Sequence, residues 1–385
     1  MQILQVTASY YPAVRYGGPT YTTHSLARAL VRRGHDVQVY TTNVDGLGQN
    51  KHDEYIANLD GVIVHYFPSP LPRIYWSYSM LKAFRDHIAE FDIVHAHGSF
   101  MYTSTAARRW ATAARLPFVL SPRGMLVGDL IRSKNQFAKR IWIELFERQN
   151  VRAASIIHAT SSLEAEEMQR LRLRGGRVVI IPNGIDRPEQ EELRSIEARL
   201  MRMVGAFRPY ILILGRINWK KGIDRLINAM VWVPQAKLVV AGNDEENYLP
   251  HLRSIAKQQD VFERVRFMGP VYGLDKAALM SGAELFVLPS QSENFGVVVL
   301  EAMAHGRPVI TTREVGIAKT VQKTGAGIIC EGTPQELGRA IASLLDDPAA
   351  RKRMGEMGRI VANQQFSWDV IAQAMETAYQ SCIKS

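Results

Sequence analysis

The stretch SENFGVVVLEAMAHG, Ser292 to Gly306, sets two glutamates eight residues apart around a glycine and an unbroken apolar run. Gly306 reads as the cap that ends a helix, which leaves Glu293 in the loop before that helix and Glu301 within it. A charged group on an apolar helix is costly unless a donor meets it. Glu301 therefore calls for a partner such as a pair of ribose hydroxyls. The amides of Asn294, Phe295, Gly296 and Val297 open the helix and can cradle a phosphate. Two carboxylates would then flank an anion site. The same residues admit a plainer arrangement, with Glu293 stabilising the first helical turn and Glu301 forming half of a buried ion pair.

A second group lies in LGRINWKKGIDRLINAM, where Arg216 follows a strand glycine and Lys221 precedes Gly222 and a helix. A guanidinium fork and a mobile ammonium beside a helix N-terminus make a diphosphate clamp. Each charge-assisted bond contributes about 1.5–3 kcal/mol. A micromolar ligand needs about 8 kcal/mol, so two such bonds and the helix end would hold one. A solvated basic turn is the alternative. In YYPAVRYGGPTY, Tyr16, Gly17 and Gly18 precede Thr20 and Thr22. The glycines would let a ligand approach the main chain, and the threonines could cap the next helix. A tight turn would use the same residues. The GxGxxG spacing of a dinucleotide fold is missing, which speaks against a dehydrogenase.

Each group begins where a short apolar strand stops. Strand candidates in the first half are ILQVTA, DVQVYTT, VIVHYF, DIVHAH, PFVLSP, SIIHAT and VVIIPNG. In the second half they are YILILGR, KLVVAGN, RVRFMG, ELFVLPS, RPVITT and GIIC. Amphipathic stretches such as Thr22 to Arg33 and Leu337 to Leu345 lie between them. Near-continuous apolar strands alternating with helices predict parallel sheets covered on both faces. The series restarts at Tyr210 after a polar, helix-prone stretch, giving two doubly wound, Rossmann-like α/β domains, residues 1–190 and 191–366. In such sheets ligands sit beyond the carboxyl ends of the strands. A cleft between the two domains is the expected site.

Bulk properties agree with a soluble globular protein. The 385 residues are 46% apolar and 22% charged, ordinary values for a water-soluble domain pair. MQILQVTA reads as a first strand rather than a leader, and no apolar run reaches the roughly 18 residues of a membrane span. Cys330 and Cys382 lack metal-ligand spacing and suit a reducing compartment, so the expected location is the cytoplasm. The net charge of +10 is uneven: residues 101–150 carry nine basic and three acidic side chains. A basic first half favours an anionic partner, whether a phosphorylated substrate, an acidic membrane leaflet or a nucleic acid.

Taken together, ENFGVVVLEAMAHGRPVI, GRINWKKG, YGGPT and IPNGID resemble the nucleotide-sugar-dependent glycosyltransferases of GT-B fold, specifically the large retaining family 4. The likeness runs from the first strand to FSWDVIAQAMETAY, which resembles the final helix (367–385) that crosses back onto the first domain. By that resemblance the first domain binds the acceptor and the second the donor. Arg216 and Lys221 would hold the donor diphosphate, Glu293 the transferred sugar's hydroxyls and Glu301 the ribose. The glycine loop, with Tyr16, would approach the reacting phosphate and the acceptor. The implied reaction retains the anomeric configuration and needs no cofactor or metal. Many relatives carry a histidine where PFVLSPRGML places Arg123. Arginine cannot serve as a base, so a positioning or charge-stabilising role is what carries over.

The loop after RVRFMGPVYG, with Val271 and Tyr272, would meet the nucleoside base. UDP- and GDP-linked hexoses both remain open. His95 and His97 end a strand at the expected site, and either could touch the acceptor or be a satisfied core histidine. Trp76, in SPLPRIYWSYSM, is expected to be exposed and to be a contact for the acceptor. RSKNQFAKRIWIELFERQNVRAA combines basic residues with Phe137, Ile141, Trp142, Leu145 and Phe146. Such a helix could lie on an anionic membrane surface and bring the site to a lipid-linked sugar, as well as pack on its own sheet. The expected partners are a UDP- or GDP-sugar and a glycan or lipid-linked sugar acceptor in cell-surface polysaccharide assembly, with no nucleic acid. Two alternatives stand beside this reading: a GT-B sugar-nucleotide epimerase, and a non-catalytic basic binder of single-stranded nucleic acid.

Overall fold

A computed structural model describes residues 1–13, 18–45, 55–126, 136–186, 190–244 and 246–383, with the side chains of 190–195 left out of the description. The chain divides into two compact units, Met1–Gly184 with Trp368–Ser385, and Ile185–Ser367. The second unit therefore begins ahead of the expected boundary at 190/191. Ile185 donates its amide to Phe366 O at 2.8 Å and bridges Ser367, which ties that segment to the second unit.

The first unit is built on eight strands: β1 (Gln2–Thr7), β2 (Asp36–Thr42), β3 (Tyr55–Leu59), β4 (Val62–Phe67), β5 (Ile93–His97), β6 (Phe118–Ser121), β7 (Ile156–Ala159) and β8 (Arg177–Ile180). Their order is β3-β4-β2-β1-β5-β6-β7-β8. All pair in parallel except β3, which runs antiparallel to β4. The sequence reading missed β3 because YIANL lies at the sheet edge, largely exposed, and carries no apolar run. The second unit has β9 (Ile211–Leu214), β10 (Leu238–Ala241), β11 (Val265–Gly269), β12 (Leu285–Leu288), β13 (Val309–Thr312) and β14 (Gly327–Cys330), ordered β11-β10-β9-β12-β13-β14 and wholly parallel. The central strands IVHAH, FVLS, ILIL, LVVA and LFVL are buried at every residue, as helices on both faces of a parallel sheet require.

The last helix, Trp368–Ile383, belongs to the first unit. Trp368, Ile371, Ala372, Met375 and Tyr379 are buried in one cluster with Ile3, Leu26, Val37 and Ile93. Gly184 lies under the Trp368 ring, 2.6 Å from where a β-carbon would stand, so a side chain there would displace the helix. Met375 is 0% exposed. We expect Met375→Ala to lower unfolding free energy by about 2–5 kcal/mol, read as an earlier urea transition of the full-length chain. A transition unchanged from the parent would mean that the helix is not part of this core.

Candidate active site

Both sheets reverse direction at their centre, after β1 and β5 in the first and after β9 and β12 in the second. Loops leaving the carboxyl ends on either side of a reversal diverge and leave a crevice between them, where doubly wound sheets bind ligands. In the second unit, β9 leads through Gly215 and Arg216 into a short turn, Trp219–Lys221, closed by Gly222 in the left-handed region at φ 65°. A β-carbon at Gly222 would stand 2.1 Å from Pro289 O, and Gln291 N donates to Lys220 O at 2.7 Å. The loops after β9 and β12 therefore touch backbone to backbone. Across that contact the Lys221 ammonium pairs with the Glu293 carboxylate, both partly buried.

Glu293 is held from the other side as well. Its amide donates to Glu314 O at 3.0 Å and its carbonyl accepts from Gly316 N at 2.9 Å, which zips the loop to the one after β13. The chain then turns through Gly296, φ 90°, where a β-carbon would meet Val315 at 2.6 Å. The helix Val297–Ala304 follows with no side-chain cap, so its first amides are not met by a capping side chain, the condition under which a helix start can take an anion. Glu301, within that helix, accepts from Lys276 Nζ at 2.6 Å through Oε1. Its Oε2 has no hydrogen-bond partner among the described residues. The ion-pair expectation for Glu301 is thus met through one oxygen, and the other is buried without a partner among the described residues. Arg216 is exposed beside this group.

The first unit presents a different chemistry. Its sheet places His95 and His97 on one face of β5, with ring centroids 4.0 Å apart, and His158 on β7 near them. His158 Nε2 lies 2.8 Å from Ile181 O, and since a carbonyl can only accept, that nitrogen carries the proton. Every later donor then follows. Ser121 Oγ–H donates to His158 Nδ1 at 2.6 Å, His95 Nε2–H to Ser121 Oγ at 2.7 Å, and Tyr379 O–H to His95 Nδ1 at 2.6 Å. The chain of bonds is unidirectional and leaves both imidazoles neutral.

Arg123 caps this arrangement. It sits at φ 57°, in the left-handed region, directly before Gly124. Its Nε and one Nη both point at His97 Nδ1, at 3.3 and 3.0 Å, and its other Nη donates to Asn183 Oδ1 at 2.9 Å. Burial pushes the guanidinium down to about 10, with Glu164 and Tyr379 opposing that shift. Burial and the Arg123 charge hold His158 down to about 3, against the Ile181 carbonyl. His95 and His97 lie well below their usual range, first because they are buried. Among the described residues no three His, Cys, Asp or Glu side chains are placed to hold a metal ion.

Two family models cover most of the chain: "Glycosyl transferase 4-like domain" over residues 17–184 and "Glycosyl transferases group 1" over 206–361. The chain belongs to the group 1 glycosyltransferases. It is 28% identical to a glycosyltransferase of Methanocaldococcus jannaschii across 99% of this chain and 98% of that one. It is 27% identical to the glycogen synthase of Mycobacterium tuberculosis across 98% and 94%. Among solved structures, sucrose-phosphate synthase from Thermosynechococcus elongatus superposes with a TM-score of 0.78 at 21% identity, covering 99% of both chains. HepE of Anabaena, solved with UDP-glucose, gives 0.75 at 21% identity over 99% and 100%. The fold is GT-B, two parallel-sheet α/β domains.

Within this glycosyltransferase the residues singled out from sequence fare unequally. Lys221, Glu293, Arg216 and Gly296 meet at one crevice edge. Phe295 does not present its ring there: it is buried in the core against Phe366. Val271 and Val297 also pack against that core, so only their backbones remain for a ligand. Tyr272 is exposed at the start of the helix Gly273–Gly282. Gly18 begins the helix Gly18–Arg32 with open space around it, while Gly17 and Tyr16 lie outside the described residues. Thr22 does not cap that helix, because its hydroxyl turns back to Pro19 O at 3.2 Å. Trp76 is half-buried rather than exposed, bridged to Leu71 across a tight turn, and its neighbour Tyr78 is the exposed ring. His95 and His97 are both buried.

Six side chains of the two sites are not singled out by the sequence: Lys276, Glu164, Asn183, Tyr379, Ser121 and His158. Only Glu164 had a local signal, the capping-box spacing of Ser161 and Glu164 in SSLE. Its side chain goes elsewhere, to Gly124 N at 2.6 Å and Thr160 N at 2.7 Å.

The buried histidines give this glycosyltransferase an acid-side weakness. Unfolded histidine titrates near 6.5, so folding lowers the proton affinity of His158. Its contribution is complete above about pH 6.5 and is lost as pH falls toward 3, since the unfolded chain then binds the extra proton. At pH 5 this amounts to about 2 kcal/mol for His158 alone. Urea midpoints at pH 7.5 and pH 5 should differ accordingly, and His158→Asn should flatten the difference.

Proposed function

We propose that this chain is a retaining, family 4 glycosyltransferase that moves a hexose from UDP or GDP to a glycan or lipid-linked sugar, working without a metal. The observation that carries this reading is the Lys221–Glu293 pair beside the uncapped helix after Gly296. Cation, amide-rich turn and carboxylate stand together where a sugar diphosphate offers two anionic groups and several hydroxyls. Arg216, Lys221 and the helix amides take the diphosphate and stabilise the charge that grows on it as the bond to the sugar C1 breaks. The acceptor oxygen bonds to C1 on the same face, and its proton passes to the departing β-phosphate oxygen. Glu293 accepts from the sugar's hydroxyls, and the open Oε2 of Glu301 accepts from the ribose. The printed names of the relatives, glycogen synthase among them, and the UDP-glucose bound to HepE support a nucleotide-sugar donor.

Because Glu293 occupies Lys221, the two roles separate by mutation. Glu293→Gln should lower kcat at least a hundredfold while UDP binds as well as before or up to about tenfold tighter, the lysine being released. Arg216→Ala should weaken UDP by about 1.5–3 kcal/mol. Calorimetric titration with UDP and GDP, together with steady-state kinetics, reads all three quantities. Weaker UDP binding in Glu293→Gln would overturn the assignment.

We further propose peripheral attachment to an anionic leaflet through the helix Gln136–Trp142 and the turn after it. Phe137, Ile141 and Leu145 recur at four-residue spacing with exposures of 79%, 44% and 54%. Lys139 and Arg140 lie among them. Trp142 and Phe146 instead stack on each other, and the Trp142 indole donates to buried Glu147. Apolar side chains flanked by cations suit the interface of an acidic bilayer. Co-sedimentation with phosphatidylglycerol vesicles at low salt should fall at least fivefold in the double variant Phe137→Ser, Ile141→Ser. Equal recovery of parent and variant with the vesicles would remove the proposal.

A further inference from the structure

The donors around Arg123 outnumber the acceptors that meet them. A guanidinium offers five N–H groups in a fork that fits the paired oxygens of a carboxylate or phosphate. Here two prongs converge on a single neutral nitrogen, His97 Nδ1, and the third known bond goes to a neutral amide oxygen, Asn183 Oδ1. Among the described residues no carboxylate lies within ion-pair distance of Arg123. Glu164 acts on it through space only, since its two oxygens accept from Gly124 and from the amide and hydroxyl of Thr160. His97 adds to the surplus. With Nδ1 accepting from Arg123, its proton is on Nε2, and that buried nitrogen has no partner among the described residues. The histidine chain behind cannot take up a proton to change this, because each imidazole in it is already committed as one donor and one acceptor.

We propose that Arg123, backed by His97 and Asn183, is an oxyanion-binding site of the first unit, and that the enzyme handles a sugar bearing a carboxylate or phosphate. Arg123 is half-buried as a residue, with its guanidinium drawn inward, at the carboxyl end of β6 beside the loop after β5, where a ligand of this sheet would lie. An incoming oxyanion replaces the strained two-prong contact to one nitrogen with a matched pair of charge-assisted bonds. Glu164 is the positioning residue: by bonding Gly124 N it fixes the turn that holds Arg123 in its left-handed conformation. The proposal rests on the glycosyltransferase reading only for the molecule that carries the charge.

The test uses the full chain and defined probes. Binding of glucuronate, glucose 6-phosphate and glucose is measured by ligand-observed NMR, and binding of UDP-glucuronate and UDP-glucose by calorimetry. The expected result is at least a tenfold preference for a charged probe over its neutral counterpart, abolished in Arg123→Gln and partly kept in Arg123→Lys. Preference among the free sugars assigns the anion to the acceptor, and preference only between the UDP-sugars assigns it to the donor. Glu164→Gln should reduce the preference while leaving UDP affinity unchanged, which a general loss of folding would not do. No charge preference in the parent, or one unaltered in a folded Arg123→Gln, overturns the proposal. UDP binding that responds to Arg216→Ala in the same series shows that the donor reading survives such a failure, and its absence shows that the donor reading has failed as well.

Discussion

Lys221 and Glu293 are 72 residues apart, and they meet only because β9 and β12 are neighbours in the sheet. Parallel pairing puts the ends of both strands on one side. The reversal of strand order then sends the helix after one and the helix after the other to opposite faces, which leaves the two loops side by side at the strand ends. What remains is how closely the loops approach. Gly222 decides that, since any β-carbon would press on Pro289 O at 2.1 Å and drive the two loops apart. A cation–carboxylate contact that looks like a local pairing is therefore a consequence of sheet topology and one missing side chain.

The first unit solves the corresponding problem with polarity rather than charge. Ile181 O fixes one imidazole proton, and that choice passes through Ser121 to His95 and out to Tyr379 on the returning helix. A positive histidine anywhere in the line would bring two donors face to face and add to the charge of Arg123. Neutral rings are what allow a guanidinium to remain among them. The two units thus offer unlike environments: in the second the cation is already partnered by a carboxylate, while in the first it meets neutral acceptors among the described residues.

How much of this the amino-acid order reveals depends on how local each feature is. Thirteen strands were legible because each is a short apolar run between polar turns, and β3 was not, because an exposed edge strand such as YIANL has no such contrast. Glu293, Arg216 and Lys221 could be read one by one from their place at strand ends. Their pairing could not, since strand order within a sheet is not written in any one segment. Glu301 admits either an ion pair or a ligand contact from sequence, and the structure shows the ion pair at one oxygen, with Lys276, while the other is buried without a partner among the described residues. Phe295 was named for its amide, and its ring, which the segment alone does not orient, packs into the core. The Tyr379 partnership with His95 spans 284 residues and involves hydroxyl and imidazole groups that are ordinary in isolation. Trp76 was taken as exposed from its polar and aromatic neighbours, yet a tight turn folds it back.

The strength of the Lys221–Glu293 contact bears on what it is for. Both side chains keep some exposure to water, 14% and 22%, and pairs of that kind contribute only about 0–1 kcal/mol to stability. The fold does not need it. A diphosphate brings about two negative charges to the same ammonium and to the helix amides nearby, so it competes for Lys221 at little cost to the protein. On the proposed reading, a Lys221 that turned to the phosphates would leave the Glu293 carboxylate without its cation and a stronger acceptor for hydroxyls at the reacting sugar. The weakness of the pair would then couple arrival of the diphosphate to the readiness of the carboxylate, whereas a tighter, fully buried pair would hold both groups away from the chemistry.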